Sequence, residues 1–407
     1  MQRTISPFTP FRLFFLFLFF MFSNSCQSAE LSFSWTPNSD PNLAGYKIYY
    51  GSASRSYTGT IDVGNPAITN GKVTYKVTDL PAGKTFYFAA TAYDTTGLES
   101  DYSAEVVCTC PKAVKNDFSV DGKADVLLRN IGSGQLWMYE MNGASIDKTD
   151  NVGALNPVWK MAGIADLTGD GKADILLRHA DLGQLWLYTM NGNVVTDSRQ
   201  VGGLSLAWEV SATSDLNGDQ QADILLRNKT TGHLWLYTMN GATITASQNI
   251  GALDLAWKIV SVEDFNGDNK ADILLRNSNT GLLWLYTMNG NIITASEKVG
   301  GLSLAWEIAS SSDMTGDQKA DILLRNTATG QLWLYTMNGN AITASQNVGA
   351  LNTAWSVDQV ADFTGDGKSD LLLRNNSTGL LWLNSMTGNI IATSQRVGDL
   401  SFSWDVQ

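Results

Sequence analysis

DLTGDGKAD, residues Asp166–Asp174, returns with small changes every 49 residues. Its copies are DFSVDGKAD (Asp117–Asp125), DLNGDQQAD (Asp215–Asp223), DFNGDNKAD (Asp264–Asp272), DMTGDQKAD (Asp313–Asp321) and DFTGDGKSD (Asp362–Asp370). No insertion or deletion interrupts the series. Strict recurrence in this range marks a solenoid or a propeller, where one unit cannot bury its apolar face without its neighbours. It also moves the functional question from a single active site to a repeated surface.

One unit, followed from Trp159, reads WKMAGIAD, the acidic loop, ADILLRH, a short turn, QLWLYTM, Asn191-Gly192 and NVVTDSRQVGG. These are four strand-like runs between turns, and none has helical periodicity. Asn-Gly favours a type I′ hairpin, whose two central residues both need positive φ. It recurs at Asn142-Gly143, Asn240-Gly241, Asn289-Gly290 and Asn338-Gly339, and becomes Thr387-Gly388 in the last copy. Four antiparallel strands per unit describe a propeller blade. Trp159, Trp208, Trp257, Trp306, Trp355 and Trp404 open the strands that lead towards a loop, with an offset at the two ends. The first loop follows Pro111–Asn116 instead, and the last such strand, Ser403–Val406, has no loop after it. A C-terminal strand that completes the first blade predicts a closed six-bladed ring, whereas an open solenoid needs polar caps instead.

The loops are rich in hard oxygen donors. Positions 1, 5 and 9 are Asp117, Asp121 and Asp125; Asp166, Asp170 and Asp174; Asp215, Asp219 and Asp223; Asp264, Asp268 and Asp272; Asp313, Asp317 and Asp321; Asp362, Asp366 and Asp370. Position 3 adds a neutral oxygen from Ser119, Thr168, Asn217, Asn266, Thr315 or Thr364. The main-chain carbonyl of position 7 (Lys123, Lys172, Gln221, Lys270, Lys319 or Lys368) adds another. Calcium takes about six to eight oxygens in a flexible cage, and neighbouring carboxylates repel unless a cation lies between them. Position 12 is Leu (Leu177, for example) rather than Glu, so these are not EF-hands. The bland alternative is an Asx-turn closed by its own hydrogen bonds.

The pattern D-x-[STN]-x-D-x-x-x-D inside a β blade resembles the FG-GAP or VCBS repeats of integrin α-subunit propellers and bacterial surface proteins, over residues 117–407. The resemblance implies up to six Ca²⁺ ions, held in each copy by the residues just named at positions 1, 3, 5, 7 and 9. Calcium in a blade hairpin is expected to stabilise the fold and not to react. Ser or Thr at position 3, where many family loops have Asp or Asn, implies weaker sites at Ser119, Thr168, Thr315 and Thr364.

Upstream, short runs rich in aromatic and β-branched residues predict strands at Leu31–Trp35, Tyr46–Tyr50, Lys72–Val77, Thr85–Tyr93 and Ser103–Val107. Leu80-Pro81-Ala82-Gly83-Lys84-Thr85-Phe86-Tyr87, with Trp35, Gly45–Gly51 and Tyr93-Asp94, resembles a fibronectin type III domain. That resemblance implies a two-sheet sandwich over residues 30–110, serving as spacer or presenter. The expected fold is all-β: this sandwich, then a six-bladed propeller over 111–407.

Residues 1–29 read as a secretory signal. Arg3 and Arg12 precede the ten-residue apolar run Leu13–Phe22, which is too short for a comfortable membrane span. Cys26 has two readings: an N-terminal lipid anchor, since Ser23-Asn24-Ser25-Cys26 loosely resembles a bacterial lipoprotein site, or a residue lost with the signal. Cys108 and Cys110 could close a tight disulfide in an oxidising compartment. These features place the chain outside the cell, on a bacterial surface or in the periplasm. The net charge is −12, and 18 of the 31 carboxylates of residues 114–407 are loop aspartates. Such a chain offers little to neutralise phosphates, which excludes nucleic acid as the expected partner.

Each unit also has a third-strand tryptophan: Trp137, Trp186, Trp235, Trp284, Trp333 or Trp382. Strand alternation puts Trp186, Tyr188 and Met190 on one face and Leu185 and Leu187 on the other. These rings are either inter-blade core or stacking surfaces for sugar. Arg129, Arg178, Arg227, Arg276, Arg325 and Arg374 end the second strands, either as a repeated structural contact to a loop Asp or neighbouring carbonyl, or as contacts for an anionic glycan. Catalysis needs a unique constellation of groups, and little here breaks the repeat. His179 and His233 are the two histidines, and the copy-specific Glu140, Asp181, Glu263 and Glu297 are scattered. The expectation is a calcium-stabilised, non-catalytic binding or adhesion protein that recognises polysaccharide or a surface protein. A purely structural scaffold is the alternative, and a polysaccharide-active enzyme the less favoured one.

Overall fold

The protein is described by a computed structural model covering residues 31–77, 85–109 and 113–407. The expected signal segment with Cys26, the Leu80–Lys84 stretch of the fibronectin-like reading and Cys110 of the possible disulfide lie outside the described residues. Among the described residues there are strands and turns and no helix. The chain divides into two compact units, Met1–Lys112 and Ala113–Gln407.

The described residues of the N-terminal unit form seven strands: β1 (Leu31–Trp35), β2 (Leu43–Gly51), β3 (Gly59–Gly64), β4 (Ile68–Thr69), β5 (Lys72–Val77), β6 (Thr85–Asp94) and β7 (Val106–Thr109). They form one sheet of order β1-β5-β4 and another of order β3-β2-β6-β7. Alternation along β1 sends Leu31, Phe33 and Trp35 inward. There they share a core with Tyr46, Ile48, Val73, Val77 and Phe88, so both sheets contribute to it. Trp35 meets Tyr46 edge-on at 5.2 Å, and Phe33 meets Phe88 at 4.8 Å. The pattern reading missed β3 and β4 and placed the last strand early. Residues 100–105 follow β6 through serine hydroxyls, Ser103 Oγ accepting from Ala90 N and Ser100 Oγ from Ala92 N. Regular pairing therefore begins only at Val106.

The C-terminal unit contains six four-stranded antiparallel sheets. Unit 2 shows the pattern: a first strand Trp159–Ala165, the acidic loop, then Asp174–His179, Gln184–Asn191 and Val194–Gly203, paired in chain order. Units 3 to 6 repeat it. Unit 1 takes three strands from residues 126–154, and its fourth, Trp404–Val406, comes from the C-terminus and pairs antiparallel with Leu128–Asn130. First strands of successive units adjoin. At Gly163 a Cβ would lie 2.4 Å from Thr213 Oγ1 of the next unit, so only glycine allows this approach.

The core lies between sheets. Ile175, Leu177 and Met190 pack on Phe118, Leu136 and Met138 of unit 1. On the other face Leu176, Leu185 and Leu187 pack on Ile224, Leu226 and Met239 of unit 3. Each fully buried side chain of this kind contributes up to about 1.5–3 kcal/mol. A unit excised from its neighbours would expose both faces, which is why the repeat cannot stand alone.

Two series of hydrogen bonds link the units. The position-8 N–H of each loop donates to the position-1 carbonyl of the preceding loop, as in Ala173 N to Asp117 O at 2.8 Å. The hairpin glycine donates to the position-2 carbonyl of the preceding loop, as in Gly192 N to Phe118 O at 2.7 Å. Both series return from the sixth unit to the first, through Ala124 N to Asp362 O and Gly143 N to Phe363 O. This contact also corrects the hairpin. Asn191 ends a strand and pairs with Val194, so Gly192 is the first central residue, and it has φ +58° while Asn193 is not left-handed. One positive φ at the first central position is the II′ pattern, not the I′ expected from Asn-Gly.

Candidate functional site

In the loop Asp166–Asp174 the chain turns sharply at positions 4 and 6, with φ +76° at Gly169 and +80° at Gly171. Position 6 takes the same left-handed conformation with Gln220, Asn269 and Gln318, and position 4 does so with Val120 in the first copy. The turn aims main-chain N–H groups at the first aspartate. Asp166 Oδ1 accepts from Gly169 N at 2.6 Å and Asp170 N at 3.2 Å, and Oδ2 from Gly171 N at 2.7 Å. The ninth residue works differently. Asp174 is fully buried at the start of the second strand. Its Oδ2 accepts from Leu167 N and Thr168 N, and its Oδ1 from Met190 N of the third strand. It therefore staples the loop to the sheet, and the Met N–H contact recurs in all six units. Position 5 is exposed; Asp170 accepts from Lys172 N and from Lys172 Nζ at 2.8 Å.

Burial pushes the ninth carboxyls up, to about 7 for Asp125, Asp174, Asp223 and Asp272 and about 6 for Asp321 and Asp370. Asp117 and Asp166 are pushed up to about 6 for the same reason, against their N–H donors. Desolvated carboxylates near one another gain most from a cation. The position-3 oxygens add an independent sign: Thr168 Oγ1 and Thr315 Oγ1 are buried without a hydrogen-bond partner. Asn217 and Asn266 instead use Oδ1 to cap the N–H two residues on. Among the described residues no three Asp, Glu, His or Cys side chains gather as a metal cage. A cation here would draw on the position-1 and position-5 carboxylates, the position-3 oxygen and the position-7 carbonyl, with the ninth carboxylate already serving three N–H donors. This all-oxygen set suits a hard cation.

Adjacent loops also touch. The stem of Lys270 lies 3.2 Å from where a Cβ on Gly218 would stand, and Lys319, Lys368 and Lys123 repeat the contact at Gly267, Gly316 and Gly365. Glycine at position 4 thus serves both the backbone turn and the neighbour's lysine.

The third-strand tryptophans are half-buried within the inter-unit clusters. Trp186 Nε1 donates to Ser198 Oγ at 2.8 Å, and the other five donate to the equivalent Ser or Thr. In units 2 to 6 each meets its first-strand tryptophan edge-on, at 6.1 Å for Trp159 and Trp186. The arginines reach the connection into the next unit: Arg178 Nη2 donates to Ser205 O, Arg227 to Asp254 O, Arg276 to Ser303 O, Arg325 to Trp355 O and Arg374 to Ser401 O. The copy-specific acids do not gather. Glu263 pairs with Lys115 at 2.8 Å and Glu140 with Lys148 at 3.1 Å.

One feature escaped the sequence reading. The residue after each first-strand tryptophan stands opposite the second-strand arginine of its own unit: Asp405, Lys160, Glu209, Lys258, Glu307 and Ser356 face Arg129, Arg178, Arg227, Arg276, Arg325 and Arg374. The alternation of sign at that position was visible, but its partner depends on strand register.

A family model described as FG-GAP-like repeat matches residues 117–177, 215–275 and 313–373, so the chain carries FG-GAP-like repeats. No curated protein matches. Among solved structures, an oligogalacturonate lyase in complex with manganese is similar at 10% identity and TM-score 0.38, over 79% of this chain and 87% of that one. Prolyl oligopeptidase B from Galerina marginata is similar at 11% identity and TM-score 0.41, over 79% of this chain and 51% of that one. Porphyromonas gingivalis dipeptidyl peptidase 4 is similar at 9% identity and TM-score 0.34, over 78% of this chain and 49% of that one. The chain spans about half the length of those two peptidases.

Proposed function

We propose that this carrier of FG-GAP-like repeats is an exported, non-catalytic binding protein. Its closed six-bladed propeller is stabilised by up to six Ca²⁺ ions and recognises polysaccharide or a surface partner through repeated weak contacts. A fibronectin type III-like domain precedes the propeller. The observation that carries the reading is the near-identity of the six units, joined by hydrogen bonds that run through all of them and from the sixth back to the first. Six equivalent surfaces favour multivalency, in which linked weak sites give avidity without one deep pocket. The scattered copy-specific acids, two of them tied up in ion pairs, favour binding over catalysis. The fibronectin-like reading draws support from the three- and four-stranded sheets with Trp35 and Tyr46 in their common core. Calcium draws support from the orphaned Thr168 and Thr315 hydroxyls beside raised carboxyls.

A second reading is a scaffold for protein–protein assembly. Leu206, Leu255, Leu304 and Phe402, each two residues before a first-strand tryptophan, are exposed. Glycan binding and calcium dependence separate the readings. Residues 30–407 are applied to a glycan and polysaccharide panel in millimolar Ca²⁺ and in EGTA, with melting followed in both. Glycan binding with a lower melting temperature in EGTA supports the proposal. A folded protein that binds no glycan gives precedence to the scaffold, and equal melting in the two buffers removes calcium from it.

A further inference from the structure

An antiparallel sheet with one face on the core usually turns polar side chains to water on the other. The sheet β3-β2-β6-β7 departs from this. Tyr46, Ile48, Phe86 and Phe88 take its core face, so alternation turns Lys47 and Tyr49 of β2 and Tyr87 and Tyr93 of β6 outward. Tyr57 and Tyr102 join them from flanking segments. Tyr102 meets Tyr49 edge-on at 5.0 Å and Tyr57 at 5.2 Å, and Tyr49 and Tyr57 stand 6.4 Å apart. Three phenols donate to carboxylates: Tyr49 to Glu99 at 2.6 Å, Tyr57 to Glu105 at 2.9 Å and Tyr93 to Asp62 at 2.9 Å. Glu105 is fixed further by Ser54 Oγ and Arg55 N, each at 2.6 Å. Burial, and then the bond to Glu105, pushes the Tyr57 phenol up to about 12, so it stays a neutral donor.

This face already holds one cation on a ring. Lys47 Nζ lies 5.4 Å over the centre of Tyr93 and bonds Glu99. Among the described residues no Lys or Arg stands over Tyr57 or Tyr102 in the same way, and Tyr102 is 55% exposed. Ring faces attract cations, and the surrounding charge points the same way. Asp62, Glu99 and Glu105, with the exposed Asp101 beside Tyr102 in the chain, stand against Lys47 and Arg55. We propose that this outer face docks a lysine- or arginine-bearing segment of a partner protein, its cationic head over Tyr102 and Tyr57 beside Glu105. The stem of such a side chain is apolar, and the face has a place for it. Val107, two residues after Glu105, is 51% exposed and pairs with Tyr87 on the outward side of the sheet. A compact ammonium without a stem leaves that apolar strip uncovered. A neutral sugar ring stacks on Tyr102 without using the excess of carboxylates, and an acidic glycan is repelled by it. The inference concerns the N-terminal unit and is independent of what the propeller binds.

The test uses residues 30–407 in millimolar Ca²⁺ at low and physiological salt. The probes are dye-labelled, acetylated hexapeptides that alternate Ala with Lys, Gln or Glu, followed by fluorescence anisotropy, and cellohexaose, followed by calorimetry. The Lys peptide should bind, more weakly at higher salt, with the Gln peptide about fivefold weaker and the Glu peptide not bound. Tyr102→Ala should weaken the Lys peptide about fivefold while melting stays unchanged. Tyr102→Phe, which keeps the ring, should retain it. Asp101→Lys, which sets a competing charge beside the ring, should weaken it in the same direction as Tyr102→Ala. Unchanged affinity in both Tyr102→Ala and Asp101→Lys overturns the site, because the acidic loops of the C-terminal unit then hold the peptide. A loss in Tyr102→Phe as large as in Tyr102→Ala overturns the role of the ring. Gln-peptide binding as tight as that of the Lys peptide overturns the cation. Cellohexaose binding that depends on Tyr102, without binding of the Lys peptide, makes the face a sugar platform and overturns the partner class. A folded protein that binds none of the probes overturns the inference and leaves the propeller's proposed function standing.

Discussion

Asp174→Ala should be among the most damaging single changes in the repeat, and for a reason independent of calcium. The carboxylate is fully buried and is the acceptor for Leu167 N, Thr168 N and Met190 N. Its removal leaves three main-chain donors without partners, each costing about 1–3 kcal/mol when buried. The sum is about 3–9 kcal/mol, and relief of the desolvated carboxylate places the result towards the lower end. Asp170→Ala is the control. That residue is exposed and accepts from Lys172, so its loss in EGTA should cost under about 1 kcal/mol. Urea unfolding followed by tryptophan fluorescence, in Ca²⁺ and in EGTA, separates the two roles. The Asp174 cost should persist in EGTA, while the Asp170 cost should grow in calcium. A loss below about 1 kcal/mol for Asp174→Ala in EGTA would refute the staple; a large loss confined to calcium would make the residue chiefly a cation ligand.

Glu99 of the N-terminal unit accepts from Lys47, Tyr49 at 2.6 Å and Thr91 at 2.9 Å. Lys47 foremost, then Tyr49, holds its carboxyl below the usual range. A lowered folded pKa gives stability that is present above the ordinary glutamate value, about 4.3, and is lost as pH falls through the folded one. Glu99→Gln should therefore cost about 1–2 kcal/mol at neutral pH, and the cost should shrink as pH falls below the ordinary glutamate value; a calorimetric difference that does not change with pH contradicts this. Gly163→Ala should cost about 1–3 kcal/mol by overpacking against Thr213. Thr213→Ala in the same chain should recover part of that, and strictly additive effects would deny the contact. Deleting residues 404–407 strips the fourth strand from unit 1 and with it the packing of Trp404 and Val406. About 3–5 kcal/mol should be lost, and an unchanged denaturation midpoint would show that the C-terminal strand does not complete the sheet.

Much of the architecture was legible because the repeat is so regular. The four runs of one unit became four strands, and the offset at the chain ends anticipated the pairing of Trp404–Val406 with unit 1. The alternation reading of Trp186, Tyr188 and Met190 against Leu185 and Leu187 matches the two inter-unit clusters. Local signals failed where a neighbour decided the outcome. The Asn-Gly hairpin shifted by one residue because the glycine N–H serves the preceding loop. The strand expected at Ser103–Val107 began later because serine hydroxyls occupy the Ala90 and Ala92 donors.

By itself the sequence determined the period, the strand pattern and the chemistry of the loop, since these depend on residue type and spacing along one stretch of chain. Only the tertiary structure decided which aspartate is buried as a staple and which is exposed, and which charge stands opposite each arginine. Burial and register are properties of the neighbouring strand and the neighbouring unit. One residue of register would have faced Lys160 with a different partner, and no spacing within a single unit could have fixed that choice.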